Sequence, residues 1–208
     1  MKQVEFYFDF LSPFAYLANH RLDDLPGDVE VVFRPVLFAG LLNHWGHKGP
    51  AEIPGKRRFT FRQTQWLARR MGVPYRSPRN IPFNPLRALR LCLALGATRG
   101  AVDGLFACVW QKGWLPDDDD DWHRMAAHMG APDASLRIAA PEVKQALLDN
   151  GDRATAAGVF GVPTFVADGH LFWGVDAVDF LLDYLRDPAL FDDPAMRQAD
   201  AIGSSARR

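Results

Sequence analysis

The chain has 208 residues, 48% of them hydrophobic, with 24 Lys and Arg against 25 Asp and Glu. That length suits one domain, or one domain carrying an insertion, and that apolar content excludes a wholly disordered chain. A net charge of −1 argues against a whole-molecule polyanion binder, and the sequence leads us to expect no membrane span and no secretory leader. Residues 3 to 10 are rich in Phe, Tyr and Val and alternate in part, which predicts a strand. The run stops at Ser12, and Pro13 follows. A capping residue with proline at the next position predicts a helix over 13–25, stopped by Pro26-Gly27. Residues 28 to 37 predict a second strand, and strand–helix–strand over so short a span favours a parallel βαβ unit.

From about 38 to 157 almost no strand signal occurs. Helices are expected over 56–71, 85–95, 101–112, 117–129, 133–139 and 141–156. The clearest is 101–112, where Val102, Leu105, Phe106, Val109 and Trp110 recur at helical spacing. Strand signal returns at Thr164–Ala167 and His170–Trp173, joined by Asp168-Gly169, a strong hairpin dipeptide. A last amphipathic helix is expected over 175–186, and the tail beyond about 190 is expected to fray.

The resulting order is β-α-β, a helical block, then β-β-α. This is the order of an α/β thioredoxin-like fold with an all-helical insertion between its second and third strands. The expected division is 1–38 with 158–187 as the thioredoxin-like part, 39–157 as the insertion and 188–208 as a tail. In that frame Ser12-Pro13-Phe14-Ala15 stands where a redox protein carries Cys-Pro-x-Cys. Neither Ser12 nor Ala15 can form a mixed disulfide. What remains is a hydroxyl at a helix start, either a plain N-cap or a donor to an anion such as a thiolate.

Two further motifs bear on chemistry. In Gly158–Phe165 a Val162-Pro163 step enters a strand. A cis bond there would turn the Val162 backbone toward an extended peptide, and a trans proline at a strand start is the alternative. In Phe172–Asp176, Asp176 either caps the last helix or meets a ligand ammonium. Charge is uneven as well. From Ile53 to Val102 there is no acid and 11 of the 24 basic residues, whereas Asp117–Asp121 is a run of five acids. The basic stretch reads as a lip for anionic substrates, as a surface paired with the acidic run, or as a nucleic-acid face, for which no module is present. Near it, Lys48 and Asn84 are candidate substrate contacts, with Asn84 also a cap for the helix beginning at Pro85. His44 and His47 lack the companions of a metal site, and no metal is expected. Cys92 and Cys108 sit in apolar, helix-like surroundings and read as inert buried thiols, which suggests a reducing, cytoplasmic setting.

The order and spacing of Phe8-Asp-Phe-Leu-Ser-Pro-Phe-Ala-Tyr16, Arg34-Pro35, Ile53-Pro-Gly-Lys56, Gly158–Phe165 and Phe172-Trp-Gly-Val-Asp176 resemble the 2-hydroxychromene-2-carboxylate isomerase family. That family is close to the kappa-class glutathione transferases and has a DsbA-like frame, and the resemblance spans roughly residues 3 to 187. It implies glutathione as cofactor, an aromatic carboxylate as small-molecule substrate, aromatic catabolism as setting and a homodimer, with no nucleic-acid or membrane partner. By similarity, Ser12 lies beside the glutathione sulfur, Val162 before Pro163 pairs with the cysteinyl part, and the turn Trp173, Gly174, Val175 and Asp176 meets the γ-glutamyl end. Phe10, Phe14 and Trp173 are candidates for an aromatic pocket. The transferase-like branch has Arg where Ala177 stands and Asn where His47 is placed, so His47 joins Lys48 and Asn84 as a candidate substrate contact. Both departures favour a glutathione-dependent isomerase. A kappa-like transferase and a non-catalytic thioredoxin-like binding module are the alternatives.

Overall fold

The structure is a computed structural model and describes residues 2–203. Strand β1 (Lys2–Phe8) leads through helix α1 (Pro13–Asn19) to strand β2 (Val29–Pro35). Seven helices follow: α2 (Phe38–Trp45), α3 (Pro54–Met71), α4 (Leu86–Ala94), α5 (Arg99–Trp110), α6 (Asp119–His128), α7 (Ala134–Arg137) and α8 (Pro141–Ala156). The hairpin β3 (Thr164–Ala167) and β4 (His170–Trp173) then precedes α9 (Val178–Arg186) and α10 (Pro194–Asp200). The sheet order is β2-β1-β3-β4. β1 and β2 are parallel, as a helical crossover requires, and the other neighbours are antiparallel. The hairpin turn puts Asp168 and Gly169 at φ 49° and 84°, the positive values that suit Asp-Gly.

The core explains why β1 is so aromatic. Phe6, Phe8 and Phe10 are fully buried. Phe6 stacks on Phe165 at 4.8 Å, and Phe10 meets Phe106 of α5 edge-on at the same distance. The Trp110 indole N–H donates to the Phe10 carbonyl at 2.9 Å, which fixes α5 against the strand end. Each such ring contributes about 2–3 kcal/mol by burial. A smaller buried cluster of Tyr7, Val36, Leu41, Ala154, Val159, Val162 and Val166 lies on the other side of β1. It joins α2 and α8 to the segment that enters β3.

Several expectations need correction. The first helix ends at Asn19, and a separate turn of 3₁₀-helix occupies Leu22–Asp24. The Arg21 N–H already bonds to the Ala18 carbonyl, three residues back. The last main helix begins at Val178, because Gly174, at φ 100°, holds residues 174–177 in a turn. Helix α2 lies where no helix was expected. The tail is not frayed through residue 200. A 3₁₀ turn (Pro188–Asp192) and α10 are formed, and Phe191 stacks on His170 at 4.3 Å and packs on Phe180 and Tyr184. Residues 204–208 of the expected tail lie outside the described residues.

The charge asymmetry is resolved in part inside the molecule. Arg79 bonds Asp118 and Asp121, each at 2.6 Å, and Arg87 bonds Asp119 at 2.8 Å. The basic stretch therefore pairs with the acidic run across the α4–α6 region. Among the described residues the arginines of α3 make no ion pair. No described helix is long and apolar enough to cross a membrane.

Candidate functional site

Ser12 is the N-cap of α1, with an extended backbone and a nearly buried side chain. Its Oγ accepts the Ala15 N–H at 3.2 Å and donates to the Val162 carbonyl at 3.3 Å. Both sequence readings of Ser12 thus start from the same geometry. It caps the helix, and it faces the Val162-Pro163 step across 150 residues of chain. A serine hydroxyl has one proton to donate and two lone pairs. An anion that takes this proton displaces only the long contact to Val162 and leaves the capping bond in place.

The Val162-Pro163 bond is cis. No group among the described residues accepts from the Val162 N–H. The Pro163 carbonyl accepts the Gly174 N–H at 2.9 Å, which ties this step to the turn after β4. The Thr164 hydroxyl donates to the Gly161 carbonyl at 2.8 Å and holds the approach to it. In the turn, Val175 is buried and Asp176 is exposed. A methyl group at Gly174 would come within 2.4 Å of Asp176 Oδ1, so glycine there leaves a seat that the carboxylate occupies. Asp176 does not cap α9, whose N-cap is Ala177 without a side-chain bond. Trp173 is 55% exposed, and its indole lies over Gly161. Ser12, Val162, Pro163 and the turn Trp173–Asp176 are therefore brought together.

The sequence reading does not single out Asp9, which is fully buried behind this site. Its carboxylate accepts the Leu11 N–H at 2.9 Å and the Phe38 N–H at 2.8 Å, and its carbonyl accepts the Ser12 N–H at 3.0 Å. One side chain therefore ties the loop that carries Ser12 to the start of α2. Burial pushes its pKa up to about 7, and the two N–H donors pull the other way and only partly offset it. The available signal is a lone carboxylate inside the aromatic run Phe6–Leu11.

The other expected contacts are placed differently. His47 and Lys48 are exposed just beyond Gly46, the left-handed residue that ends α2. Asn84 stands just before Pro85, the N-cap of α4: its Oδ1 accepts the Leu86 N–H at 3.0 Å, and its backbone N–H donates to Asp117. Its Oδ1 is thus engaged at the start of α4. Phe10 is core and not pocket, Phe14 is partly buried against the core, and Trp173 alone of the three faces solvent. Cys92 and Cys108 are free and buried, and burial pushes the Cys108 thiol up to about 12 and Cys92 further. No group of three or more His, Cys, Asp or Glu that could hold a metal ion occurs among the described residues.

A family model described as DSBA-like thioredoxin domain matches residues 3–186. The chain belongs to this DSBA-like thioredoxin domain family. Within the family, it is 29% identical over 197 residues to a 2-hydroxychromene-2-carboxylate isomerase from Sphingobium xenophagum, covering 89% of this chain and 99% of that one. It is 26% identical over 216 residues to a glutathione S-transferase kappa 2 from Caenorhabditis elegans, covering 90% and 93%. Among solved structures, a selenomethionine form of 2-hydroxychromene-2-carboxylate isomerase superposes with a TM-score of 0.79 at 24% identity, covering 97% of this chain and 100% of that one. The DSBA-like frame, with its mixed four-stranded sheet and many helices, is thus shared.

Proposed function

We propose that the protein is a glutathione-dependent isomerase of an aromatic carboxylate of the 2-hydroxychromene-2-carboxylate type, acting in aromatic catabolism. The observation that carries this reading is the Ser12 hydroxyl, 3.3 Å from the carbonyl of Val162 in the cis Val162-Pro163 step. The names of the isomerase and kappa-class relatives support the ligand and the reaction class. The residues present fit glutathione in their chemistry. A hydroxyl donor, the backbone N–H and carbonyl of Val162, and the Asp176 carboxylate match a thiol, a peptide backbone and an ammonium.

Glutathione, when bound, would supply a nucleophilic thiolate able to add reversibly to a conjugated double bond, an isomerisation with no net gain or loss of atoms. Ser12 turns its one proton from Val162 toward the sulfur and favours the charged thiolate. Val162 would pair with the cysteinyl backbone in the manner of an added strand. Asp176 would hold the γ-glutamyl ammonium, and Gly174 keeps the seat of that carboxylate open. Asp9 fixes the loop that aims Ser12, which is preorganisation rather than chemistry. The helical segment 39–157 acts as a distinct insertion over this frame. We further infer a homodimer in the cytoplasm; the two free buried cysteines support a reducing compartment.

Calorimetry with glutathione and a coupled assay of a hydroxychromene carboxylate beside a model electrophile test the reading. Binding with isomerisation and little conjugation is the expected result. Faster conjugation than isomerisation would instead support a kappa-like transferase. Absence of glutathione binding with an intact fold would favour a non-catalytic binding module.

A further inference from the structure

We propose that Trp45 is a positioning residue for the Ser12–Val162 pair, acting through α2, which works as a strut fastened at both ends between the two sides of the site. Its effect on a bound thiol rests on the isomerase reading, whereas the strut itself does not.

The sheet does not reach the level of the site. The β1–β3 ladder ends at the pair Tyr7 and Thr164, short of Ser12 on one side and of Val162 on the other. Beyond it, the direct link is the donation from Ser12 Oγ to the Val162 carbonyl, long at 3.3 Å. This is the contact given up when the single Ser12 proton turns to a sulfur. The register of the two sides then depends on what else joins them.

Helix α2 joins them at both of its ends. At its start the N-cap Leu37 supplies no side-chain bond. The Asp9 carboxylate serves instead, from 29 residues away: Oδ2 accepts the Phe38 N–H at 2.8 Å, while Oδ1 accepts the Leu11 N–H at 2.9 Å. A carboxylate at the free N–H groups of a helix start is also favoured by the helix dipole. At the last residue of α2, the Trp45 indole N–H donates to the Val159 carbonyl at 2.9 Å. Val159 is fixed in turn to the end of α8, its N–H bonding the Ala154 carbonyl at 2.9 Å. Between the two ends, Leu41 is buried in the same cluster as Val159 and Val162. Eight residues of helix, about 12 Å, thus run from the loop that carries Ser12 to the segment that carries Val162. A helix this short is marginal by itself. Releasing its Trp45 end therefore loosens its Phe38 end, and with it the hold of Asp9 on the Ser12 loop. Trp45 is 39% exposed, so its N–H can be removed with little loss of core.

The test is Trp45→Phe, which keeps a ring and removes the donor, with Trp66→Phe on α3 as the control. Amide hydrogen exchange of the full-length protein without ligand reads the strut. We expect the Phe38 and Leu11 amides, at the far end of α2, to exchange about fivefold faster, a coupling usual within one hydrogen-bond network. The amides of the β1–β2 ladder should keep their rates, and Trp66→Phe should change neither set. Unchanged Phe38 and Leu11 exchange in Trp45→Phe overturns the proposal. So does a uniform acceleration that includes the ladder, which would make Trp45 a matter of stability alone. With glutathione added, thiolate absorbance against pH gives a second readout. Trp45→Phe should raise the pKa of the bound thiol by about 0.5, and should not move it further in a Ser12→Ala background. An equal rise in both backgrounds would also overturn the proposal, because Trp45 would then act independently of Ser12. If the wild type fails to bind glutathione, the glutathione reading falls, and exchange at Phe38 and Leu11 still decides the strut.

Discussion

On the Ser12 side of the site, Asp9, Ser12 and Thr164 are buried and each hydrogen-bonds within the protein. On the Asp176 side, a carboxylate and an indole face water, and the backbone is held open by a glycine at positive φ. The first arm is built like a core and the second like a receptor. The contrast teaches where rigidity has been placed. The atom proposed to act on the sulfur cannot move without disturbing the fold, whereas the groups proposed to grip the ends of the ligand can adjust.

The largest expected effect probes the buried arm through Asp9. Its pKa is raised in the folded state, from 3.8 to about 7, so the folded chain holds this proton more tightly than the unfolded one. Stability from this group is therefore full below pH 4 and is lost as pH rises through about 7. The loss amounts to at most about 4 kcal/mol. In urea unfolding, the wild type should lose stability relative to Asp9→Asn between pH 5 and pH 8. A difference that stays flat or grows in favour of the wild type would mean that the two N–H donors outweigh burial.

Ser12→Ala comes next. Loss of a hydrogen bond to a charged sulfur, about 1.5–3 kcal/mol, should reduce turnover about 10- to 100-fold. Loss of the cap should cost a further ~1 kcal/mol of stability. Glutathione should stay bound with a higher thiol pKa, read from thiolate absorbance against pH. Unchanged turnover would leave Ser12 as a cap alone. On the open arm, Asp176→Asn should weaken glutathione about fivefold, in keeping with a solvent-facing charge contact of about 1 kcal/mol. Its saturated turnover should match the wild type, and the weakening should shrink at high salt. The smallest effect belongs to Gly161→Ala, where the new methyl displaces the Trp173 indole. A shift in tryptophan fluorescence with under ~1 kcal/mol of stability change would confirm that this arm yields. A large stability loss would show it to be as rigid as the Ser12 side.

The frame was legible in the sequence because its signals are local. Phe6, Phe8 and Phe10 stop at Ser12-Pro13, and Asp168-Gly169 divides two apolar runs. Helix α2 escaped notice although Phe38, Leu41, Leu42 and Trp45 stand at helical spacing before Gly46. Its eight residues include Gly40 and His44, weak helix formers, and its stability comes from packing on α8 and on the small second core. Asp9 was illegible for a different reason. Its burial depends on the Phe38 N–H closing over it from 29 residues away. The same holds for Arg79, whose partner Asp121 is 42 positions on. Sequence showed both charge runs but not that they meet. Asn84 carried two readings of equal local standing, and the bond of its Oδ1 to the Leu86 N–H fits the capping one.

The aromatic clasp at the chain's end bears on where the protein can be shortened. Phe191 lies against His170 of the edge strand β4 and against Phe180 and Tyr184 of α9. A chain trimmed at Asp187, where the sequence alone would draw the boundary, uncovers three rings beside an edge strand. Such a surface is adhesive, and it lies next to backbone able to pair with another molecule. The segment 188–200 therefore keeps those rings covered, and trimming belongs after it.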